Sequence, residues 1–332
     1  MVGEPKASRW LPADPETPAS DLCALAESAD VGIRYAVAIN RAAPVVALAK
    51  LAKDKVLGVR ERVAANSATS SDILSHLAID ESEEVRCRVA RNANTLPSVL
   101  AKLAGDELSA VRMGVASNPN TPSSLCSDLA VDWSASVRRN VALRPDIPDE
   151  MVLALSKDGS TVVRLSVAAR PSVPEGVFDQ LAGDLNVAVR VVLAQNPKVP
   201  ARIALDLTWD PWLRVREAAR ENPTLSAEVL TELAGDSDFG VRCQVADFHK
   251  TPLEVVERLS EDPVESVRAL VASRDDVSGE LLARLAKDAS GTVQHAVANN
   301  PHTPLEALES VLKKATGEAW GTASRRLRSR RV

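Results

Sequence analysis

Four histidines, four cysteines and one aspartate set between two indoles are the side chains of this chain that chemistry would most readily use. His76, His249, His295 and His302 show no ligand spacing, and Cys23, Cys87, Cys126 and Cys243 are scattered. A zinc site needs about four converging ligands, so no metal and no cofactor are expected. Asp210, in the run Trp209-Asp210-Pro211-Trp212, has the look of a carboxylate with aromatic walls, the kind of site that acts on an extruded base. A glycine-rich phosphate loop and a serine elbow are both missing from the sequence.

What positions Asp210 changes its meaning. Val-Arg recurs at Val59, Val85, Val111, Val137, Val163, Val189, Val215, Val241 and Val267, always in steps of 26 residues. Ile33-Arg34 extends the series backwards and Val293-Gln294 forwards. A fixed period of this length marks stacked supersecondary units, each burying its apolar face only against its neighbours. The expectation is an all-α solenoid of about eleven two-helix repeats.

A unit reads VRxxVAxNPxTPxxxLxxLAxDxxxx, and the copy starting at Val111 is the cleanest. Val111, Val115 and Ala116 recur at helical spacing and form an apolar face. Asn118-Pro119 should end the first helix, with Asn in the left-handed end position. Thr121-Pro122 should restart the chain as a capping Thr followed by a first-turn Pro. Leu125, Leu129 and Ala130 line the second helix, and Asp132 is expected to cap the next first helix.

Two polar columns follow from this register. One holds Arg34, Arg60, Arg86, Arg112, Arg138, Arg164, Arg190, Arg216, Arg242 and Arg268. The other holds Asp54, Asp80, Asp106, Asp132, Asp158, Asp184, Asp210, Asp236, Asp262 and Asp288, each six residues before the next Arg or, for Asp288, before Gln294. A charged binding stripe has no reason to keep both in strict phase, so the columns read as a structural ladder of caps and ion pairs. Asp210 is one rung of it. Residues 1–32 read as an N-terminal segment with a capping half-repeat, since Thr17-Pro18, Leu22 and Leu25 keep the phase. Residues 33–312 are the repeats, and 313–332, with Lys314 in the aspartate slot, read as a basic tail disordered at its end.

These residues resemble the leucine-rich repeat variant (LRV) family, whose Asn-Pro-x-Thr-Pro corner is specific, over residues 17–312. The paired Asp and Arg columns also resemble HEAT repeats. The resemblance implies a right-handed solenoid of alternating α and tighter 3₁₀-type helices, with one short helix per unit. Some LRV proteins carry a cysteine-rich module for an iron–sulfur cluster, which needs grouped thiolates. Only Cys23 lies near this N-terminus, so that module does not carry over.

Departures from the consensus are where function is to be sought. Arg144 and Arg170 replace the corner Asn in consecutive units, as a small anion-binding edge or, preferably, as caps on helix carbonyls. Trp209, Trp212, Arg220, Phe239, Phe248 and His249 crowd one stretch, with Trp133 in the same corner three units earlier. Aromatics and Arg typically anchor interfaces. Arg325, Arg326, Arg328, Arg330 and Arg331 concentrate charge in the tail, which could meet nucleic acid.

Charge discriminates among functions. The net charge of −5 divides into a tail of +6 and a body of −11. An acidic body argues against duplex binding along the array, and hence against the remaining enzyme candidate, a HEAT-like DNA glycosylase. The absence of a long apolar run or signal-type start points to a cytoplasmic location. The expected function is a non-catalytic scaffold that binds a macromolecule, foremost a protein, with nucleic acid through the arginine tail as the alternative.

Overall fold

The computed structural model describes residues 12–174, 176–314 and 317–330, the last of these, Arg330, by its backbone alone. Among the described residues there are 24 α-helices and no strand. The chain is an all-α repeat solenoid that divides into two compact units, residues 1–167 and 168–332.

Within the first unit the repeat starting at Val111 shows how sequence becomes structure. Ser109–Ser117 is its first helix and Ser123–Leu129 its second. Val111, Val115 and Ala116 are fully buried, because neighbouring first helices, Glu83–Arg91 and Ala135–Ala142, pack on either side. A buried Val or Leu contributes about 1.5–3 kcal/mol, so this short apolar face, repeated, carries the fold. Gly114 sets how closely the helices approach. A Cβ there would lie 2.8 Å from the Ala90 Cβ and 3.2 Å from the Arg91 Cγ.

The second helices are short, commonly seven residues, and α-helical rather than 3₁₀ as the family resemblance implied. Leu or Cys at their middle and Leu at their end point into the stack, as with Leu74 and Leu77 or Cys126 and Leu129. At the start of the unit, Leu22 on helix Ala19–Leu25 is buried in the same way.

The corners work differently from expectation. No residue other than glycine has a positive φ among the described residues, and Asn118 sits at φ −75°, ψ 130°, extended rather than left-handed. Its side chain instead crosses to the preceding repeat, where Nδ2 donates to Ala90 O at 2.7 Å and Asn92 O at 2.9 Å. Thr121 does not cap the second helix, whose N-cap is Pro122. Its buried hydroxyl donates to Val115 O at 2.6 Å, a second bond to the carbonyl that also accepts from Asn118 N at the end of the first helix.

In the second unit first helices again pack in succession, Val187–Gln195 on Leu213–Arg220, and Phe239–Asp247, Glu265–Ser273 and Gly291–Asn299 on one another in order. The basic tail then folds into a further helix, Glu318–Arg330, against Gly291–Asn299 and Leu305–Lys314. It keeps the repeat phase. Ala319 and Ala323 fall 26 residues after Val293 and Val297 and are buried. Arg326 falls 26 after Asn300, and its Nη1 bonds Ala298 O and Asn300 O as a corner Asn would. The charge of this segment had suggested a free tail, whereas small residues at the apolar positions let it dock. The expected disordered end, with Arg331, lies outside the described residues.

Candidate interaction surface

The two polar columns form a ladder, but with a longer reach than the six-residue spacing suggested. In eight rungs the Arg joins the Asp 20 residues ahead, Nε to one carboxylate oxygen and Nη2 to the other, as in Arg60 with Asp80 at 2.7 and 3.0 Å. Its Nη1 takes the main-chain oxygen six residues behind, Asp54 O at 3.0 Å. The Asp does not cap the next helix. Its Oδ1 accepts the N–H two residues on, as Ser82 N donates to Asp80 at 2.9 Å, which closes the corner and turns the carboxylate back toward the Arg.

In the first unit these rungs are Arg34–Asp54, Arg60–Asp80, Arg86–Asp106, Arg112–Asp132 and Arg138–Asp158. In the second unit they are Arg190–Asp210, Arg242–Asp262 and Arg268–Asp288. Arg164 Nη1 keeps the contact with Asp158 O, and Asp184 the corner bond from Asn186 N. Arg216 and Asp236 form no ion pair with each other, although Arg216 Nη1 still takes Asp210 O at 2.8 Å and Pro211 O at 2.9 Å.

Asp210, the residue with the most catalytic appearance, is thus consumed. Arg190 holds both its oxygens, Trp212 N donates to Oδ1 at 2.8 Å, and only 8% of the residue is exposed. Burial pushes its carboxyl up, but the Arg190 hydrogen bond and the Trp212 N–H outweigh it and hold it below the ordinary carboxylate range. A proton acceptor needs the opposite adjustment.

The corner arginines are equally engaged. Arg144 is buried, its Nη1 bonding Ala116 O and Asn118 O while Nε and Nη2 clasp Asp146 at 2.9 and 2.7 Å. Arg274 repeats this with Ala246 O, Phe248 O and Asp276. Arg170 is also buried and donates to Ser172 O. Arg144 and Arg274 thus make the corner bonds that Asn makes elsewhere, with the rest of each fork on a carboxylate.

The remaining candidates do not form one edge. Trp209, Trp212 and Phe239 lie at the N-terminal ends of first helices Leu213–Arg220 and Phe239–Asp247, whereas Arg220, Phe248 and His249 lie at their C-terminal ends. At the N-terminal ends Trp209, Trp212 and Phe239 are 46, 59 and 53% exposed, and Leu213 is 55% exposed. In the first unit Trp133 occupies the same kind of corner, 77% exposed, with the Arg112 guanidinium 4.7 Å from its ring centroid.

At the C-terminal ends Phe248 is buried edge-on to His249, with centroids 5.0 Å apart. Arg220, Glu217, Glu221, Asp247 and His249 rim a shallow depression of both charges. Partial burial and the charges of Lys250 and Arg220 hold the His249 imidazole below its usual range. Among the tail arginines Arg325 and Arg328 are exposed on helix Glu318–Arg330, while the Arg330 side chain is not described.

Sequence reasoning missed one part of this surface. Phe248 stands in an Asn slot, so the corner bonds that Asn222 makes to Ala194 O and Asn196 O are not repeated one unit on. Lys250 Nζ donates to Arg220 O instead, at 2.9 Å. Helix Phe239–Asp247 packs on helix Ala201–Leu207, where Gln244 Nε2 donates to Asp206 Oδ1 at 2.7 Å. Phe248 itself was the signal.

Among the described residues no group of three His, Cys, Asp or Glu side chains gathers as a metal site, and no helix is long and apolar enough to cross a membrane. No family model and no curated protein matches the chain. Of solved structures, the chain is similar to a leucine-rich repeat variant with a novel repetitive structural motif, at 27% identity and a TM-score of 0.32, covering 75% of this chain and 88% of that one. An engineered protein is similar at 15% identity and a TM-score of 0.28, over 95% of this chain and 99% of that one. A computationally designed armadillo repeat protein for modular peptide recognition is similar at 14% identity and a TM-score of 0.13, over 94% and 99%.

Proposed function

We propose that the chain is a non-catalytic, cytoplasmic interaction scaffold whose partner is a protein, bound at the exposed corners before the first helices. One contrast carries this reading. Asp210, the side chain with the most catalytic appearance, is locked into the ladder, while in the second unit the large apolar side chains Trp209, Trp212, Leu213 and Phe239 face solvent at those corners, as Trp133 does by itself in the first. Isolated exposed apolar residues are ordinary, but a group rich in Trp and Phe is the usual material of an interface anchor. The four cysteines are free thiols, in keeping with a reducing compartment.

A pull-down from host lysate with the full chain and a Trp212→Ala/Phe239→Ala variant tests the reading. Capture of a defined protein that the variant loses supports it. Identical capture by both chains overturns the assignment of these corners.

A second reading rests on Arg325 and Arg328, which share the exposed side of helix Glu318–Arg330. Nucleic acid would bind there through phosphates, with an affinity falling steeply as salt rises. Labelled duplex and single-stranded DNA titrated at two salt concentrations against the full chain and an Arg325→Gln/Arg328→Gln variant separates the two. Salt-sensitive binding lost in the variant favours nucleic acid, and absence of binding removes it.

A further inference from the structure

Eight rungs of the ladder, in both units, are closed by a carboxylate held by an arginine fork. Their geometry is uniform, with Nε to Oδ2 between 2.5 and 2.7 Å and Nη2 to Oδ1 between 2.8 and 3.3 Å. Arg216 has the same place on its helix and the same Nη1 bonds to the corner behind it, to Asp210 O and Pro211 O. Its Nε and Nη2 nonetheless meet no carboxylate, although Asp236 keeps the same corner bond as the aspartates of the closed rungs, accepting from Asp238 N at 2.8 Å. The fork is half-buried and open.

The residues around this open fork are unlike those around the closed ones. Trp212 and Leu213 begin the helix that carries Arg216, Phe239 begins the next first helix, and all three are exposed. Arg214, between Leu213 and Val215, is exposed as well. The packing beneath is also loosened. Helix Ala227–Leu233 buries only Leu230, with Val229 and Leu233 half-buried, where the following second helices Leu253–Leu259 and Gly279–Leu285 bury three residues each. Phe248 removes the Asn bonds at the far end of the same joint.

We propose that this joint is a peptide-docking site in which a partner's aspartate or glutamate completes the Arg216 rung while flanking aromatic or aliphatic side chains cover Trp212, Leu213 and Phe239. The proposal rests on the protein-scaffold reading above and specifies its partner. Charge complementarity favours a single carboxylate over a polyanion. The same slot takes a carboxylate throughout the ladder, whereas Asp210, Asp236 and Asp238 at the surrounding corners would repel a run of phosphates. A guanidinium with one nitrogen already fixed by two carbonyls is pre-organised for a bidentate carboxylate. Exposed Trp and Phe beside it supply the apolar anchor.

The test selects peptides from a phage-displayed random library on the immobilised full chain, then measures the synthetic peptides by calorimetry. Enrichment of Asp or Glu next to aromatic or aliphatic residues is expected, with binding weakened about tenfold or more by Arg216→Gln and comparably by Trp212→Ala. Arg325→Gln should leave it unchanged, and Arg216→Lys, which keeps the charge but loses the fork, should fall between. Because the open fork owes nothing to Asp236, Asp236→Asn should leave the melting temperature where it is.

A melting temperature lowered by Asp236→Asn as much as by Asp262→Asn would mean that the rung closes internally, and would overturn the proposal. So would displacement of the peptides by duplex DNA at equal charge, which would make the ligand a phosphate backbone. Peptides without acidic residues, or bound equally by the Arg216→Gln variant, overturn the site but leave the scaffold reading standing, since the pull-down decides that separately.

Discussion

Arg190 grips Asp210 through two parallel hydrogen bonds, Nε to Oδ2 at 2.6 Å and Nη2 to Oδ1 at 3.2 Å, from 20 residues earlier in the chain. The pair makes Asp210 a fastener between repeats, although its two neighbouring indoles give it the sequence of a catalytic group. Removing one partner of a buried, hydrogen-bonded ion pair leaves the other uncompensated, and costs about 3 kcal/mol or more. Asp210→Ala should therefore lower stability by about that amount in urea unfolding. Asp236→Ala, at the open rung, should cost less than about 1 kcal/mol. Equal costs would show that the two aspartates do the same work.

Acid should dismantle the ladder together. Burial pushes the carboxyls of Asp80, Asp106, Asp132, Asp158, Asp210 and Asp262 up, but the arginine bond and the corner N–H outweigh it and hold each below the ordinary range. At Asp54 and Asp288 the arginine bond is itself the largest influence. Groups whose folded values are depressed stabilise the fold fully above their unfolded value of about 3.9 and cease to do so as pH falls through the folded ones. Helicity followed by circular dichroism should be flat from neutral pH down to about 4 and collapse cooperatively below it. A collapse centred near pH 6 would place the acid-sensitive groups elsewhere.

The corner Asn is a second fastener, and it can be exchanged with Arg. Asn118→Ala strands two main-chain carbonyls of the preceding repeat, Ala90 O and Asn92 O, and should cost about 1–3 kcal/mol. Arg144→Asn restores the common residue at a slot where Arg makes the same two bonds, to Ala116 O and Asn118 O. Its cost should stay within about 1 kcal/mol, and phosphate titration should detect no binding that the wild type has and Arg144→Asn lacks. A phosphate site lost with Arg144 would return the anion-binding reading.

How far the structure could be read from the residues depended on whether they act along the chain or between repeats. Val111 and Val115 face the core because helical periodicity is a local property, visible in any one repeat. Asn118 ends its helix as the sequence indicates, but in an extended rather than left-handed conformation, and its bonds to carbonyls 26 and 28 residues earlier leave no mark on the sequence. The Arg–Asp columns are visible, but periodicity alone gives two spacings for each pair, 6 and 20, that together make one repeat. Geometry selects the longer for the side chain and the shorter for the main-chain oxygen. Trp209 and His249 seemed to share an edge because they cluster in number, yet first helices of eight and nine residues part the two ends of that stretch. The arginines of 325–331 hid a helix by their charge, although Arg326 kept the phase of Asn300.

Two glycines test the stacking from opposite directions. At Gly114 an added methyl would meet the Ala90 Cβ at 2.8 Å and Cys87 O at 3.4 Å, on a neighbouring helix that is itself fully packed. Gly114→Ala should force the two first helices apart and cost about 1–3 kcal/mol. Gly321 lies inside helix Glu318–Arg330 with nothing within 4 Å of the added atom. There the substitution removes only the freedom of glycine in the unfolded chain and should stabilise by about 0.5–1 kcal/mol. Thermal unfolding of both variants decides the matter. A neutral Gly114→Ala would mean looser contact between first helices than their buried Val and Ala faces require. A destabilising Gly321→Ala would mean that the basic segment is not helical where Arg326 holds it to the last corner.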